Sequence, residues 1–171
     1  MSDLSKTKHK FAWHYTTGNC IIKIIDAGEL VPATSNIPKN ERPILWFSLD
    51  QVWELTANKG VIENGKNRTL TLKETCELCN GVFRVGIHSS SKTLIQWPKI
   101  GKLAGMSKKI IRTLDKVAYK QGSNPTNWLG QFEPLLMKDW LCIEVLQDLK
   151  TMEWVKVGVD ENNSLFIPKN H

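Results

Sequence analysis

Hydrophobic and polar positions change period several times along the chain, and each change marks an element. Residues 12–16 form a short aromatic strand. Thr17-Gly18-Asn19 supplies N-cap chemistry, Cys20-Ile21-Ile22-Lys23-Ile24-Ile25-Asp26-Ala27 follows as a helix, and Gly28 stands where a helix C′ residue belongs. Pro32, Pro38 and Pro43 make 31–43 a loop. The bulky run Ile44-Leu45-Trp46-Phe47-Ser48 reads as a buried strand, and Asp50 is placed to cap a helix carrying Trp53, Thr56 and Ala57. The stretch 59–80 is polar and weakly patterned, which predicts an exposed loop with a strand near 69–72. Residues 82–88 alternate as a strand. A helix is expected over 107–121, with Ser107 as its cap and Ile110, Ile111, Leu114, Val117 and Ala118 on one face. Gly122-Ser123-Asn124-Pro125 ends it. Short strands are expected at 132–137, 140–147, 153–159 and 164–167, the last two joined by the turn Asp160-Glu161-Asn162-Asn163.

Helices thus fall mainly in the first two thirds and antiparallel-looking strands crowd the last third. That is an α+β layout, without the βαβα alternation of a parallel nucleotide-binding sheet. Neither the Walker nor the dinucleotide-fold glycine pattern is present. A length of 171 residues suits one domain over 11–171, preceded by a polar arm at 1–10. With 41% hydrophobic and 23% charged residues, collagen-like and wholly disordered readings are excluded. No apolar run approaches the roughly 20 residues that span a bilayer. The basic start leads into Phe11-Ala12-Trp13-His14-Tyr15 and not into a signal core, so a cytoplasmic protein with no membrane partner is expected.

Two further features of composition change the picture. Cys20, Cys76, Cys79 and Cys142 are too sparse for a disulfide scaffold. The spacing Cys76-Glu-Leu-Cys79 matches a zinc half-site or redox pair, but no second close pair completes it, so no metal is expected. The net charge of +6 is concentrated: residues 99–120 hold seven cations against Asp115 alone, which is the whole excess. A concentrated basic face is the electrostatic footprint of a polyanion, although a lysine-rich helix can equally be a solvated surface.

Three clusters set polar groups beside large aromatics: Trp13-His14-Tyr15-Thr16-Thr17, Trp46-Phe47-Ser48 followed by Trp53-Glu54, and Trp128-Leu129-Gly130-Gln131-Phe132-Glu133. Such mixtures suit a flat heterocycle, which needs stacking faces and a few fixed hydrogen-bonding groups. Their order along the chain resembles the ADP-ribosyltransferase family, which includes bacterial toxin transferases and relatives of the poly-ADP-ribose polymerases. The resemblance implies two antiparallel-rich sheets around an NAD cleft. It implies that His14, Tyr15 and Thr16 hold a ribose and the nicotinamide amide, that Phe47 and Ser48 end the second cofactor-binding strand, and that Trp53 after it packs on the nicotinamide. It also implies that Gln131-Phe132-Glu133 supplies the catalytic carboxylate, Glu133, with Gln131 selecting the acceptor.

The implied chemistry suits these residue types. Cleavage of the nicotinamide–ribose bond builds positive charge on the ribose, which a fixed carboxylate stabilises. Glu144 is the rival carboxylate, and Arg84 is a candidate for the pyrophosphate or an edge-strand residue facing solvent. The expected function is NAD-dependent mono-ADP-ribosyl transfer by a toxin or phage-defence effector with a cognate antitoxin. The basic helix 107–121 and the Gln131 amide, which offers both a donor and an acceptor to a base edge, turn the expected acceptor toward nucleic acid, with RNA ahead of DNA. The alternatives are a protein side chain as acceptor, an RNA 2′-phosphotransferase of the same fold, and a catalytically silent nucleotide-binding module. Four arginines in the whole chain count against the phosphotransferase, which would need several in its pocket.

Overall fold

Strand β1 (Phe11–Thr17) runs straight into helix α1 (Gly18–Ala27), which Thr17 precedes in extended geometry and Gly28 ends in the left-handed region. This junction is in the expected place in the computed structural model of the protein, which describes residues 10–169. After α1 come β2 (Glu29–Leu30) and β3 (Leu45–Ser48), then the hairpin strands β4 (Gly60–Glu63) and β5 (Lys66–Thr69). Helix α2 (Leu72–Leu78), β6 (Val82–His88), β7 (Ile95–Gln96) and helices α3 (Lys99–Leu103) and α4 (Lys108–Lys120) occupy the middle. The last third holds β8 (Trp128–Gln131), β9 (Leu135–Leu136), β10 (Cys142–Asp148), β11 (Glu153–Val159) and β12 (Leu165–Phe166).

The α+β expectation holds, with a large antiparallel sheet and four helices among the described residues. In place of two sheets there is one of eight strands, in the order β12-β11-β10-β6-β1-β3-β8-β7, and two separate two-stranded ribbons. β1 sits near its middle. It pairs with β6 over seven positions, but with β3 only at Trp13↔Ser48. The sheet is therefore continuous by hydrogen bonding yet nearly split between β1 and β3.

Helix α1 buries Ile21 and Ile25 against Ala12, Leu45, Phe47, Val85, Ile87 and Ile143 on one face of the sheet. Each such side chain contributes about 1.5–3 kcal/mol. A second cluster joins α3 and α4 to the β3–β8 end through Ile44, Trp97, Ile100, Ile111, Ala118 and Trp128. Within it the Trp97 indole donates to Asp115, which explains the lone acid of the basic stretch.

Several element boundaries differ from expectation. The helix after Asp50 is only a 3-10 turn, Leu55–Ala57, capped by the Glu54 carboxylate accepting from Thr56 N–H. The region 59–80 is not a loop: Asn64-Gly65, both at positive φ, turn the β4–β5 hairpin. Thr71 and Glu74 then form a capping box that starts α2. Of the strand expected at 132–137 only Leu135–Leu136 is extended, pairing with β2, and a separate strand at Trp128–Gln131 precedes it; Pro134, which lacks the N–H that a continuing ladder needs, lies between the two. Cys20 is exposed on α1. Positions 1–9 of the expected arm lie outside the described residues.

Candidate functional site

A cavity of about 700 Å³ opens where β1 and β3 part. Its sheet wall is His14 and Tyr15 from β1 and Trp46, Phe47 and Ser48 from β3. The 3-10 segment contributes Glu54 and continues to Lys59, while the loop 36–41 brings Ile37, Pro38 and Glu41. Helix α4 and its C-cap residue Gln121 close the opposite side, Ile110, Leu114, Val117 and Gln121 forming one stripe at helical spacing. That helix has three faces. Ile111 and Ala118 enter the core, the stripe lines the cavity, and Lys108, Lys109, Arg112, Lys116 and Lys120 face solvent.

Glu54 is the most heavily bonded side chain of the wall. Only 5% of it is exposed. Its Oε2 accepts from the Ser48 hydroxyl at 2.9 Å, and its Oε1 accepts from the Thr56 hydroxyl at 2.6 Å and the Ser123 hydroxyl at 2.5 Å. Burial pushes its pKa up, but the bonds from Ser123, Thr56 and Ser48 outweigh burial and hold it below the ordinary value. Glu54 is thus a fixed anion in a largely apolar cavity. Its neighbour Asp50 takes the opposite shift, up to about 6, through burial first and then the hydrogen bond and charge of Glu54.

His14 is held neutral. Burial lowers its pKa, against the hydrogen bond to Trp46, and the Lys59 charge lowers it further. Its Nδ1 lies 2.9 Å from the Trp46 carbonyl oxygen. Since that oxygen can only accept, Nδ1 carries the proton and Nε2 is left as an acceptor. Tyr15 donates to the Asp50 carbonyl at 2.5 Å, and burial keeps its phenol protonated. Lys59 is the one lysine or arginine among the described residues lining the cavity.

Of the residues singled out in the sequence, His14, Tyr15, Phe47 and Ser48 meet in this wall. Thr16 and Trp53 are buried beside it without lining it, Trp53 with its ring 4.9 Å from that of Tyr15 and its indole N–H on Asn58. Gln131 and Glu133 lie elsewhere. Ser48 pairs with Trp128 but Gln131 pairs with Leu45, three residues and about 10 Å farther along the strand. The Gln131 amide is buried, accepting from Thr93 and donating to the Glu133 carbonyl. The Glu133 carboxylate is 78% exposed and bonds Arg42, whose guanidinium lies over the Phe132 ring. The pattern of the sequence placed Glu54 in a cluster without giving it a role. Glu41, Lys59 and Gln121 carried no signal, because each reaches the cavity only through a loop path or a helix rotation.

Arg84 neither faces solvent nor lines the cavity. It is buried between the rings of Trp13 and Trp154, 3.9 and 4.2 Å from their centroids, and pairs with Glu144 at 2.5–2.8 Å. Glu144, the rival carboxylate, is thereby occupied as a structural partner. All four cysteines are free, and no cluster of metal-binding side chains occurs among the described residues. No helix among them is long and apolar enough to cross a membrane. Compared with protein-family models, curated proteins and solved structures, the chain matches none.

Proposed function

We propose that this protein transfers ADP-ribose from NAD to an acceptor, with the cavity between β1 and β3 as its NAD site. The observation that carries this reading is the convergence of neutral His14, Ser48 and the anionic Glu54 on one apolar cavity. Its volume of about 700 Å³ falls in the range of small-molecule sites. Trp46 and Phe47 offer stacking faces, His14 Nε2 an acceptor for a ribose hydroxyl, and Lys59 a positive charge for the diphosphate.

Glu54 takes the carboxylate role in this reading. Its charge stabilises the positive charge that builds on the ribose carbon as the bond to nicotinamide breaks. Because Ser48, Thr56 and Ser123 already hold it in place, no reorganisation is needed during reaction. Nicotinamide leaves with the bonding electron pair, the acceptor bonds to the same carbon, and the acceptor's proton is released. The role moves from Glu133 to Glu54 because Glu54 lines the cavity and Glu133 does not. The 2′-phosphotransferase alternative loses ground, since no arginine lines the cavity among the described residues. A toxin or phage-defence role with a cognate antitoxin remains the biological setting of the proposal, supported by the resemblance.

Nicotinamide release from NAD, measured chromatographically, tests the reading. Wild type should release it and Glu54→Gln should be slower by at least about a hundredfold, with NAD binding by calorimetry retained. Glu133→Gln should stay within a few-fold of wild type. Absence of release from wild type would refute the enzyme, and loss in Glu133→Gln with retention in Glu54→Gln would return the role to Glu133.

A further inference from the structure

The motif Cys76-Glu-Leu-Cys79 contributes nothing to the cavity. Cys76 lies in the last turn of α2 and Cys79 is its C-cap residue. Both thiols are free, and both residues are partly exposed. No third side chain of metal-binding type joins them among the described residues, which leaves the chemistry of a dithiol. Side chains three apart on a helix are neighbours, with Cβ atoms about 5–6 Å apart. A disulfide needs about 3.5–4.5 Å between them. The pair therefore has to close by about 1–2 Å to bridge. Cys79, at φ −116° and ψ 22°, has already left helical geometry, so the chain can take up the difference there.

The segment that would move also starts α1. Thr17 gives that helix no side-chain cap. Its first N–H groups are satisfied instead by carbonyls from the end of α2: Gly18 N–H donates to Gly81 at 3.0 Å and Asn19 N–H to Cys79 at 3.1 Å. The approach is so close that a Cβ at position 18 would fall on the Asn80 carbonyl. Asn80 Nδ2 also donates to Asn19 Oδ1 at 2.5 Å. Cys76 itself packs in the cluster of Trp53 and Val82, together with Tyr15 and Ala57. Drawing Cys79 toward Cys76 thus displaces the acceptors that hold the first turn of α1, directly after the strand that carries His14 and Tyr15.

We propose that Cys76 and Cys79 form a redox-sensitive pair, closed to a disulfide by a low-molecular-weight disulfide such as oxidised glutathione, and that closure draws residues 79–81 away from the start of α1. Cys79 reacts first. Its thiolate attacks one sulfur of oxidised glutathione and expels a glutathione thiolate. The Cys76 thiolate then attacks the Cys79 sulfur and expels the second glutathione. Two protein thiols lose two electrons and two protons, and one glutathione disulfide becomes two thiols. Cys76 suits the second step: burial holds its thiol above the ordinary pKa, against a hydrogen bond from Val82 N–H, which makes it a poor attacker of an oxidant in solution. A thiol whose thiolate is not stabilised also favours the bridge once formed. The disulfide and its effect on α1 need no NAD; only the consequence for nicotinamide release rests on the proposed function.

Glutathione buffers of rising oxidised fraction, applied to the reduced protein, test the pair. Peptide maps should show a Cys76–Cys79 bridge that has lost two hydrogen atoms and retains no glutathione, in wild type and in Cys20→Ser alike, reversed by dithiothreitol. Cys76→Ser should stop at a glutathione adduct on Cys79, and Cys79→Ser should stay unbridged. By NMR, the Gly18 and Asn19 amides should exchange at least about tenfold faster in the bridged protein, with those of α4 unchanged. Nicotinamide release should slow several-fold on oxidation and recover on reduction. A lasting glutathione adduct on wild-type Cys79, a bridge from Cys79 to Cys20, or unchanged exchange at Gly18 and Asn19 in the bridged protein would overturn the proposal. Release equal in both redox states would overturn the coupling to the cavity. No release from the reduced protein would refute the transferase alone, with the bridge and the exchange result standing.

Discussion

Arg84 shows how one residue's neighbours decide its role. In the sequence it is a charged residue within an alternating strand, suited equally to a ligand anion or to solvent. In the fold β6 is an interior strand, between β1 and β10, and Arg84 lies buried on it. It survives there because Glu144, opposite it in the β6–β10 register, neutralises it and two indole faces enclose it. Gly86 on the same strand leaves room for Trp13: an added Cβ would come within 2.7 Å of that ring. Removing one member of a buried pair leaves the other charge uncompensated and costs about 3–5 kcal/mol. Arg84→Ala should therefore lower the unfolding free energy in denaturant by about that amount, while nicotinamide release per folded molecule stays near wild type. A stable variant with abolished release would instead place Arg84 in the reaction.

Among the elements, α4 was the most legible. Its cap, its length and its apolar positions all follow from local spacing, and the helix spans Lys108–Lys120 as the pattern predicts. What spacing could not reveal is that its apolar residues serve two purposes, Ile111 and Ala118 in the core and Ile110, Leu114 and Val117 at the cavity. The β4–β5 hairpin and α2 were equally local, written in Asn64-Gly65 and in Thr71 with Glu74, but were obscured by their polar composition. The basic face yields a prediction for this element. Replacing Lys108, Lys109 and Arg112 by Ser should weaken RNA binding whatever its sequence. It should also flatten the log–log salt dependence by roughly one unit for each phosphate that is no longer neutralised. Identical slopes for wild type and the triple variant would make the face a solvated surface.

Across the molecule as a whole, the buried titratable groups set how stability varies with pH. Asp50 has a folded pKa of about 6 against an ordinary 3.8, so the native state holds its proton more tightly than the unfolded chain does. The stability gained from that proton is present at low pH and is lost as pH rises from about 4 to about 6. His14 acts in the opposite direction: its lowered folded pKa means that stability falls as pH drops below its ordinary 6.5. Wild-type stability relative to Asp50→Asn should therefore decline between about pH 4 and 6 and then level off, as thermal unfolding at a series of pH values would register. A difference independent of pH would mean that Asp50 titrates as an exposed carboxylate and that its coupling to Glu54 is absent.

Local sequence was enough for the α+β class, the β1–α1 junction with its Gly28 stop, helix α4, and the meeting of His14 with Phe47 and Ser48. All of these rest on periods, caps and turn residues acting over a few positions, or on neighbouring runs in the order of the chain. Which carboxylate lines the cavity was settled by the folded arrangement alone. Glu54 sits there as the cap of the 3-10 turn 55–57, held by Ser123, which arrives from beyond α4, 69 positions away in the chain. Glu133 is kept from it by the β3–β8 register, which places Ser48 beside Trp128 and leaves position 133 past the far end of the strand pair. Register and long-range hydrogen bonds depend on how many segments pack at once, and no local pattern of residues encodes that sum.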